Sequence, residues 1–182
     1  MDSSNRLLKM SRVIPQQARI PETLYQKITA LVPIPCVDLV PVRKESGTLE
    51  ILLIKRKIEP EKGKWCLIGG RVIGGREVKP ERLSGAIKRQ AKIELGVEVK
   101  IISPWDANHP AVLFDEPSCD PAKYPIIAVY PVEVVKNSVI KVGPESSKTK
   151  WFEYDDLPPV MGFTSREEVG AVVGALKRAG WF

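Results

Sequence analysis

Apolar residues recur every three or four positions in three segments of the chain, the spacing of a helix that buries one face. This pattern predicts a short helix opened by Pro21, a helix over residues 80–95, and a helix from Ser165 to about residue 179. The second segment has a proline in its first turn and Gly96 just past its end, as helices commonly begin and stop. The third opens on a capping box formed by Ser165 and Glu168.

Runs of apolar and β-branched residues predict strands between these helices. The predicted strands span residues 34–42, 49–56, 65–68, 97–102 and 124–135, with a further short strand at 151–152. Pro131 lies within the longest run and favours an edge strand or a bulge there, because proline has no N–H to donate. Residues 103–123 contain four prolines and predict a long surface loop.

The alternation of strands and helices predicts an α/β fold with a mixed sheet flanked by helices. No shift in composition marks a domain boundary within it. We therefore expect a flexible arm over residues 1–20 and a single domain over residues 21–182.

The composition is that of an ordinary globular protein, with 43% hydrophobic and 27% charged residues. No apolar run reaches the roughly 20 residues that cross a bilayer, and the first ten residues lack the apolar core of a signal peptide. The three cysteines (Cys36, Cys66 and Cys119) are widely spaced and odd in number, so they predict neither a disulfide framework nor a metal-binding pair. We expect a cytoplasmic protein without a membrane partner.

The charge balance is basic, with 28 basic and 22 acidic residues. Such a balance is typical of proteins that bind nucleic acid and also of proteins that bind a small anion. The basic residues are scattered along the chain and no nucleic-acid-binding signature surrounds them. A pocket for an anionic small molecule is therefore favoured over a nucleic-acid groove.

Two polar residues lie on the apolar face of the central predicted helix. Gln90 and Glu94 are four positions apart and share the face of Ala86, Ile87 and Ala91. Glu94 is also in the last turn, where the helix dipole disfavours an anion by roughly 0.3–1 kcal/mol. A carboxylate placed there needs a cation, which is either a bound metal ion or a nearby lysine.

A glycine pair precedes this helix and is followed by an arginine, in the sequence Gly69-Gly70-Arg71. Without a Cβ, the backbone at a glycine can approach a phosphate or a metal ion closely. Arginine offers a fork of N–H donors that suits a phosphate group. The predicted turn therefore favours a bound diphosphate, and its proximity to Glu94 in the sequence strengthens the prediction.

The glycine turn, the helix and its Glu-Leu-Gly ending together resemble the signature of the Nudix hydrolases. That signature is a glycine, five residues, a glutamate, seven residues, then Arg-Glu-hydrophobic-x-Glu-Glu-x-Gly-hydrophobic. Counted back from its final glycine, the chain matches the signature at Gly75, Glu81, Arg89, Glu94, Gly96 and Val97. Two of the glutamates are replaced, by Gln90 and Ile93. The resemblance implies a Nudix-type α/β/α sandwich in which Glu81 and Arg89 form a structural pair.

The GDP-mannose mannosyl hydrolases, one branch of this family, share the pattern of an arginine, four variable residues and Glu-Leu-Gly. The resemblance covers roughly residues 22–160 and includes Val37-Asp38-Leu39, Lys55-Arg56, Lys64-Trp65, Trp151-Phe152 and Asp155-Asp156-Leu157. It implies that Glu94 and Gly70 hold one Mg²⁺, or Mn²⁺ in its place, with Gln90 as a further candidate ligand.

The same resemblance implies a substrate-binding role for three residues. Arg56 and Arg71 would contact the diphosphate of a nucleotide sugar, and Asp38 would be a further contact. Two alternatives stay open on the residues alone: Asp38 is a strand-edge acid paired with a lysine, or Arg56 is an exposed basic residue at a strand end.

The chain departs from that branch before its third tryptophan. Ser146 and Ser147 stand where the branch has a glutamine ligand and a histidine base. The preceding Glu145 is then a candidate second ligand or base, against the alternative of a solvated loop carboxylate. His109, the single histidine, is a second candidate base, against the alternative of an ordinary loop residue.

These observations predict a Mg²⁺-dependent hydrolase of a nucleoside diphosphate linked to another group, most simply a nucleotide sugar such as GDP-mannose. Its partner would be that small molecule, and a homodimer is expected by family analogy alone. The first rival is a catalytically silent nucleotide-binding or regulatory protein, which the replaced glutamates favour. The second rival is an RNA-binding module that uses the basic surface.

Overall fold

The computed structural model of the protein describes residues 20–75, 79–106, 108–115, 120 and 122–182. The arm predicted over residues 1–20 lies outside these ranges except for Ile20. Within them, the helices are α1 (Glu22–Thr29), α2 (Leu83–Glu94) and α3 (Arg166–Arg178). None of these helices is long and apolar enough to cross a membrane.

Nine strands form one mixed sheet in the described part of the chain. They are β1 (Ile34–Glu45), β2 (Thr48–Arg56), β3 (Trp65–Cys66), β4 (Ile68–Arg71), β5 (Val99–Ile101), β6 (Val112–Phe114), β7 (Pro125–Val134), β8 (Ser146–Glu153) and β9 (Met161–Gly162). The order is β5-β7-β1-β2-β3-β9, with β4 paired to β1, β6 to β7 and β8 to β2. The predicted mixed α/β sheet is confirmed.

Strand β1 organises the sheet because its two halves have different partners. The first half pairs with β4, from Cys36 opposite Arg71 to Leu39 opposite Ile68. The second half pairs with β2, from Val42 opposite Ile51 onward. On its other side β1 runs parallel to β7. Strands β2 and β3 therefore diverge from β4, and a cleft can open between them.

Each face of the sheet is covered by a helix. Helix α2 buries Ala86, Ile87 and Ala91 against one face, together with Val37 and Leu39 of β1. Helix α3 packs on the other face through Val169, Val172, Val173 and Leu176. The alternation along β1 directs successive side chains to the two helices, which gives the three-layer α/β/α arrangement.

Helix α2 begins later than its sequence predicts. It starts at Leu83 instead of residue 80, because Arg82 is extended and Glu81 forms hydrogen bonds with Ile73. The N–H of Glu81 donates to the carbonyl of Ile73 at 3.0 Å, and its carboxylate accepts from the N–H of Ile73 at 2.7 Å. The glycine pair predicted as a turn is likewise extended and lies within β4.

The prediction that Pro131 marks an edge or a bulge is wrong. Strand β7 is central, between β1 on one side and β5 and β6 on the other. The carbonyl of Pro131 accepts from the N–H of Ile102 at 3.1 Å, on the side where the neighbouring strand changes from β6 to β5. The missing N–H of proline falls at that junction. The predicted loop over residues 103–123 also contains a strand, β6, which pairs with β7.

Candidate active site

A cavity of about 590 Å³ opens where β2 and β3 diverge from β4. It is lined by residues from the glycine strand, the last turns of α2, the end of β2 and the segment before β8. Six of the predicted site residues lie along it: Asp38, Arg56, Gly70, Gln90, Glu94 and Glu145. Residues separated by more than a hundred positions in the sequence thus meet in one place.

Glu94 is a buried acid of the cavity, with 6% of the residue exposed. It ends α2, and the Ser146 hydroxyl donates to its Oε2 at 3.3 Å. Burial and, after it, the negative charge of Glu145 together raise the pKa of Glu94 to about 7, against the opposing effects of Ser146, Arg56 and Lys57. The folded protein thus holds a carboxylate that would gain from a cation.

Gly143 lies against the end of α2 and makes this arrangement tight. A Cβ at position 143 would come within 2.6 Å of the Glu94 Cα and 2.8 Å of the Glu94 carbonyl oxygen. The neighbouring Lys141 donates its N–H to the carbonyl of Leu95 at 2.8 Å. The segment before β8 is therefore packed directly on the turn that carries Glu94.

Arg56 and Glu145 form an ion pair at the cavity wall, with Arg56 Nη1 3.1 Å from Glu145 Oε2. The Arg56 side chain is 13% exposed, whereas that of Glu145 is 45% exposed. The Nε of Arg56 donates to the carbonyl of Pro60 at 2.9 Å, and the ring of Phe163 lies 5.0 Å from its guanidinium carbon. The edge of the guanidinium is therefore held by hydrogen bonds to Pro60 and Glu145, and one of its faces is covered by the ring of Phe163.

The two glycines of β4 admit polar groups from opposite sides of the strand. A Cβ at Gly69 would collide with the Asp38 carboxylate, and a Cβ at Gly70 would collide with the Gln90 amide nitrogen. These contacts require glycine at both positions. Gln90 and Glu94 are both buried on α2, as their shared helix face predicts.

Asp38 lies on the central strand β1 and faces the cavity. The alternative of a strand-edge acid paired with a lysine is wrong: β1 has neighbours on both sides, and within the described ranges no side chain forms an ion pair with Asp38. Burial and the charge of Glu168 raise the pKa of Asp38 to about 7, with Lys123 acting in the opposite direction.

Two predicted site residues do not line this cavity. Arg71 ends β4, where its carbonyl accepts from Arg89 at 2.9 Å. Burial raises the pKa of the cavity residue Tyr25, and the charge of Arg71 acts against that rise. His109 is exposed and its Nδ1 lies 3.0 Å from Asp106 Oδ1. The loop that contains His109 is hydrogen-bonded to β7 at Val129, in the middle of that strand. The cavity is lined by residues at the start of β7 instead.

Glu81 and Arg89 form the predicted structural pair, which is confirmed. Arg89 donates twice to the Glu81 carboxylate, from Nε at 3.1 Å and from Nη2 at 2.6 Å. The same Nη2 reaches the carbonyl of Arg71. This pair joins α2 to the segment that follows β4 and so holds the glycine strand beside the helix.

Sequence patterns missed three residues of the site. Ser146 was notable only for replacing a glutamine, yet it donates to Glu94. Gly143 and Phe163 lie in segments without a motif. The spacing of Gly143 and Ser146 offers no local signal, because their contacts are with α2, about fifty positions earlier in the sequence.

The donor set fits a single magnesium ion better than a cluster of ions. Within the described ranges, no three histidine, cysteine, aspartate or glutamate side chains are grouped to hold a metal. Magnesium needs only one or two protein carboxylates when phosphate oxygens and water complete its shell. Glu94 supplies one buried carboxylate. A bound cation would offset the repulsion between the negative charges of Glu94 and Glu145.

The sequence is similar to that of known proteins. The model of the NUDIX domain matches residues 33–172. The low-salt glycan biosynthesis protein Agl8 of Haloferax volcanii is 44% identical over 85 residues, 47% of this chain and 49% of that protein. An ADP-ribose pyrophosphatase of Methanocaldococcus jannaschii is 31% identical over 109 residues, 60% of this chain and 57% of that protein. The chain thus spans about half the length of the curated relatives it matches.

A solved structure shares the fold. The NUDIX domain of Shewanella oneidensis NrtR, crystallised with ADP ribose, matches with a TM-score of 0.60 at 18% identity. The match covers 88% of this chain and 99% of that domain. At this identity the likeness supports the arrangement of strands and helices alone.

Proposed function

This chain belongs to the NUDIX family, and from that premise we propose that it hydrolyses a nucleoside diphosphate linked to a second group. The observation that carries the proposal is the buried Glu94, which faces a cavity that also contains an arginine. The M. jannaschii relative is named for the cleavage of ADP-ribose, a compound of this class.

Glu94, the backbone carbonyl of Gly70 and the amide oxygen of Gln90 are the groups that would hold Mg²⁺, or Mn²⁺ in its place. The ion, when bound, supplies positive charge that stabilises the negative charge developing on the phosphate oxygens. Glu94 must be deprotonated to bind it, which its raised pKa permits at neutral and higher pH.

Arg56 would bind the diphosphate. Only two of its N–H groups are used by acceptors in the described part of the chain, on Pro60 and on Glu145. The guanidinium has five such groups, so others stay available to phosphate oxygens. Arg71 would contribute its charge from the rim, beside Tyr25.

Glu145 would act on the attacking water. It is the more exposed partner of the ion pair with Arg56, and it is close enough to Glu94 to raise the pKa of that group. A diphosphate that engages Arg56 would compete for the same guanidinium and release the Glu145 carboxylate. That carboxylate can then take a proton from water beside the phosphate.

A nucleotide sugar such as GDP-mannose is the substrate class that we favour. The carboxylate of Asp38, which lines the cavity without an ion-pair partner among the described residues, can accept hydrogen bonds from sugar hydroxyls. The H. volcanii relative is named for glycan biosynthesis, a process that uses activated sugars.

A second function is a catalytically silent nucleotide-binding protein. The observation that favours it is the absence of any group of three metal-binding side chains in the described ranges, with Gln90 and Ile93 beside the cavity. Such a protein would bind the same ligand without turnover. A homodimer is a further expectation that rests on family analogy.

The test is incubation with Mg²⁺ and a panel of nucleotide sugars, ADP-ribose, dinucleoside polyphosphates and capped RNA, with product measured by chromatography. Glu94→Gln removes the buried carboxylate, and Glu98→Gln is a matched control at an exposed position. We expect turnover of one class, lost in Glu94→Gln and kept in Glu98→Gln. Magnesium-dependent thermal stabilisation by a panel member without product would support the silent protein. If the protein shows no turnover and no thermal stabilisation with any member of the panel, both proposed functions are overturned.

A further inference from the structure

Phe163 has a backbone conformation that its side chain disfavours. Its φ is 58°, in the left-handed region. Aromatic residues rarely adopt this conformation, because the Cβ crowds the backbone there. Where the surroundings impose such a conformation, it often serves a function of the site.

The segments on both sides of Phe163 determine its position. Gly162, the preceding residue, pairs with Cys66 in the parallel ladder between β9 and β3. A Cβ at Gly162 would lie 2.7 Å from the Cys66 Sγ, so the two strands are packed closely. Ser165, two residues after Phe163, caps the N-terminus of α3 through a complete capping box. Phe163 thus connects two rigid elements, and its conformation directs the ring toward Arg56.

The ring covers one face of the guanidinium. Its centroid is 5.0 Å from the Arg56 guanidinium carbon, within the range of a cation–π contact. Pro60 and Glu145 hold the edge of the same group. The ring differs from these acceptors because it orients the cation without consuming an N–H donor.

Phe163 also borders two cavities. It lines the cavity of about 590 Å³ that contains Glu94 and a second cavity of about 610 Å³ that contains Glu61 and Glu168. The ring is therefore part of the wall of the cavity that also contains Arg56.

We propose that Phe163 is a positioning residue that holds Arg56 for the diphosphate, an inference that rests on the proposed function. The covered face and the fixed Nε leave the guanidinium one orientation in the cavity. A diphosphate that displaces Glu145 therefore meets an arginine that is already placed. Leucine at this position would fill volume but would not attract the cation.

The test is the affinity for inorganic pyrophosphate with Mg²⁺, measured by isothermal titration calorimetry, so that turnover is not needed. We expect Phe163→Leu to weaken binding on the order of tenfold, and Phe163→Tyr, which keeps the ring, to stay within about twofold. In an Arg56→Ala background, Phe163→Leu should have no further effect, because the residue acts through Arg56.

Phe163→Gly separates the ring from the backbone. Glycine accepts a positive φ, which offsets part of the packing lost with the ring, so this variant should fold while binding pyrophosphate as weakly as Phe163→Leu. Ser46→Gly relieves a left-handed residue in the turn after β1, at φ 50°, and should leave binding unchanged. If Phe163→Leu does not fold, the comparison of Phe163→Gly with Phe163→Tyr carries the same test.

Three results would overturn the proposal. Wild-type protein that binds no pyrophosphate contradicts the proposed function and this inference together. If wild type binds pyrophosphate and Phe163→Gly binds it with equal affinity, only the role of the ring is contradicted. An effect of Phe163→Leu that persists undiminished in the Arg56→Ala background shows that the ring does not act through Arg56.

Discussion

Arg56 and Glu145 lie 89 positions apart in the sequence and are joined by a 3.1 Å hydrogen bond between Nη1 and Oε2. The proposed diphosphate-binding residue is therefore paired with the proposed base. Each neutralises part of the charge of the other until an anion enters. In the proposed function, this contact would link diphosphate binding to the availability of the Glu145 carboxylate.

Glu145→Gln tests that link. Glutamine can still accept a hydrogen bond from Arg56 but cannot take a proton from water, so kcat should fall about 10²–10⁴-fold. KM should stay equal or decrease, because no anion competes with the diphosphate for Arg56. Steady-state kinetics on the substrate found in the panel measure both constants.

The matched control for that variant is Glu153→Gln, at an exposed position at the end of β8. It should leave both constants unchanged. An unchanged kcat in Glu145→Gln would show that this carboxylate does not act as the base.

Glu94 makes the stability of the metal-free protein depend on pH. Its pKa rises from an ordinary 4.5 to about 7, because of burial and then the charge of Glu145. A carboxyl group of raised pKa binds more protons in the folded state, so its stabilising effect is complete below about pH 4.5 and is lost as pH rises through about 7. Asp38 contributes with the same sign.

Glu94→Gln should therefore be more stable than wild type at pH 8 without divalent cations, by on the order of 2 kcal/mol. The two proteins should converge near pH 5, where Glu94 is protonated. Urea unfolding at several pH values in EDTA measures the free energy. Equal stability at pH 8 would mean that Glu94 is ionised there without cost.

Gly143→Ala tests the close packing on the last turn of α2. The new methyl would lie within 2.8 Å of Glu94 backbone atoms, so the segment before β8 must move. We expect a loss of about 1–3 kcal/mol in the free energy of unfolding. Activity should fall more than stability explains, because Glu145 and Ser146 are displaced with it.

Gly85→Ala is the control for that substitution, within α2 itself. Its methyl would meet Glu81 Cβ at an ordinary 3.6 Å, and alanine favours a helix over glycine by roughly 0.5–1 kcal/mol. Thermal denaturation should show stabilisation for Gly85→Ala and destabilisation for Gly143→Ala. The reverse order would contradict the close packing of Gly143 on Glu94.

Gln90→Glu tests whether a second carboxylate can be accommodated in the site. The new charge would stand four residues before Glu94 on the same buried face, so the metal-free protein should melt at a lower temperature at pH 8. Mg²⁺ should stabilise this variant more than wild type, because an added ligand strengthens binding to the folded state.

Lys88→Glu, which adds negative charge on the exposed side of α2, is the control. It should show no added response to Mg²⁺ in a thermal shift titration. An equal response in both variants would show that the ion does not approach position 90.

The sequence predicted the helix that carries the site more reliably than the strand pairing. Their spacing predicts that Gln90 and Glu94 lie on the inward face of α2, and their burial confirms this prediction. The pairing of Glu81 with Arg89 follows from the family signature and is confirmed as well. The edge position expected for Pro131 is wrong, because a missing N–H can also be placed where one neighbouring strand replaces another.

The chain by itself determined what depends on neighbouring positions: the periodic apolar faces of the helices and the capping box at Ser165. The tertiary structure alone decided that Arg56 meets Glu145 and Phe163, that Gly143 packs on Glu94, and that His109 lies elsewhere. The physical reason is that local conformation is set by residues a few positions apart. Burial, charge repulsion and close packing arise between segments whose separation along the chain leaves no periodic signal.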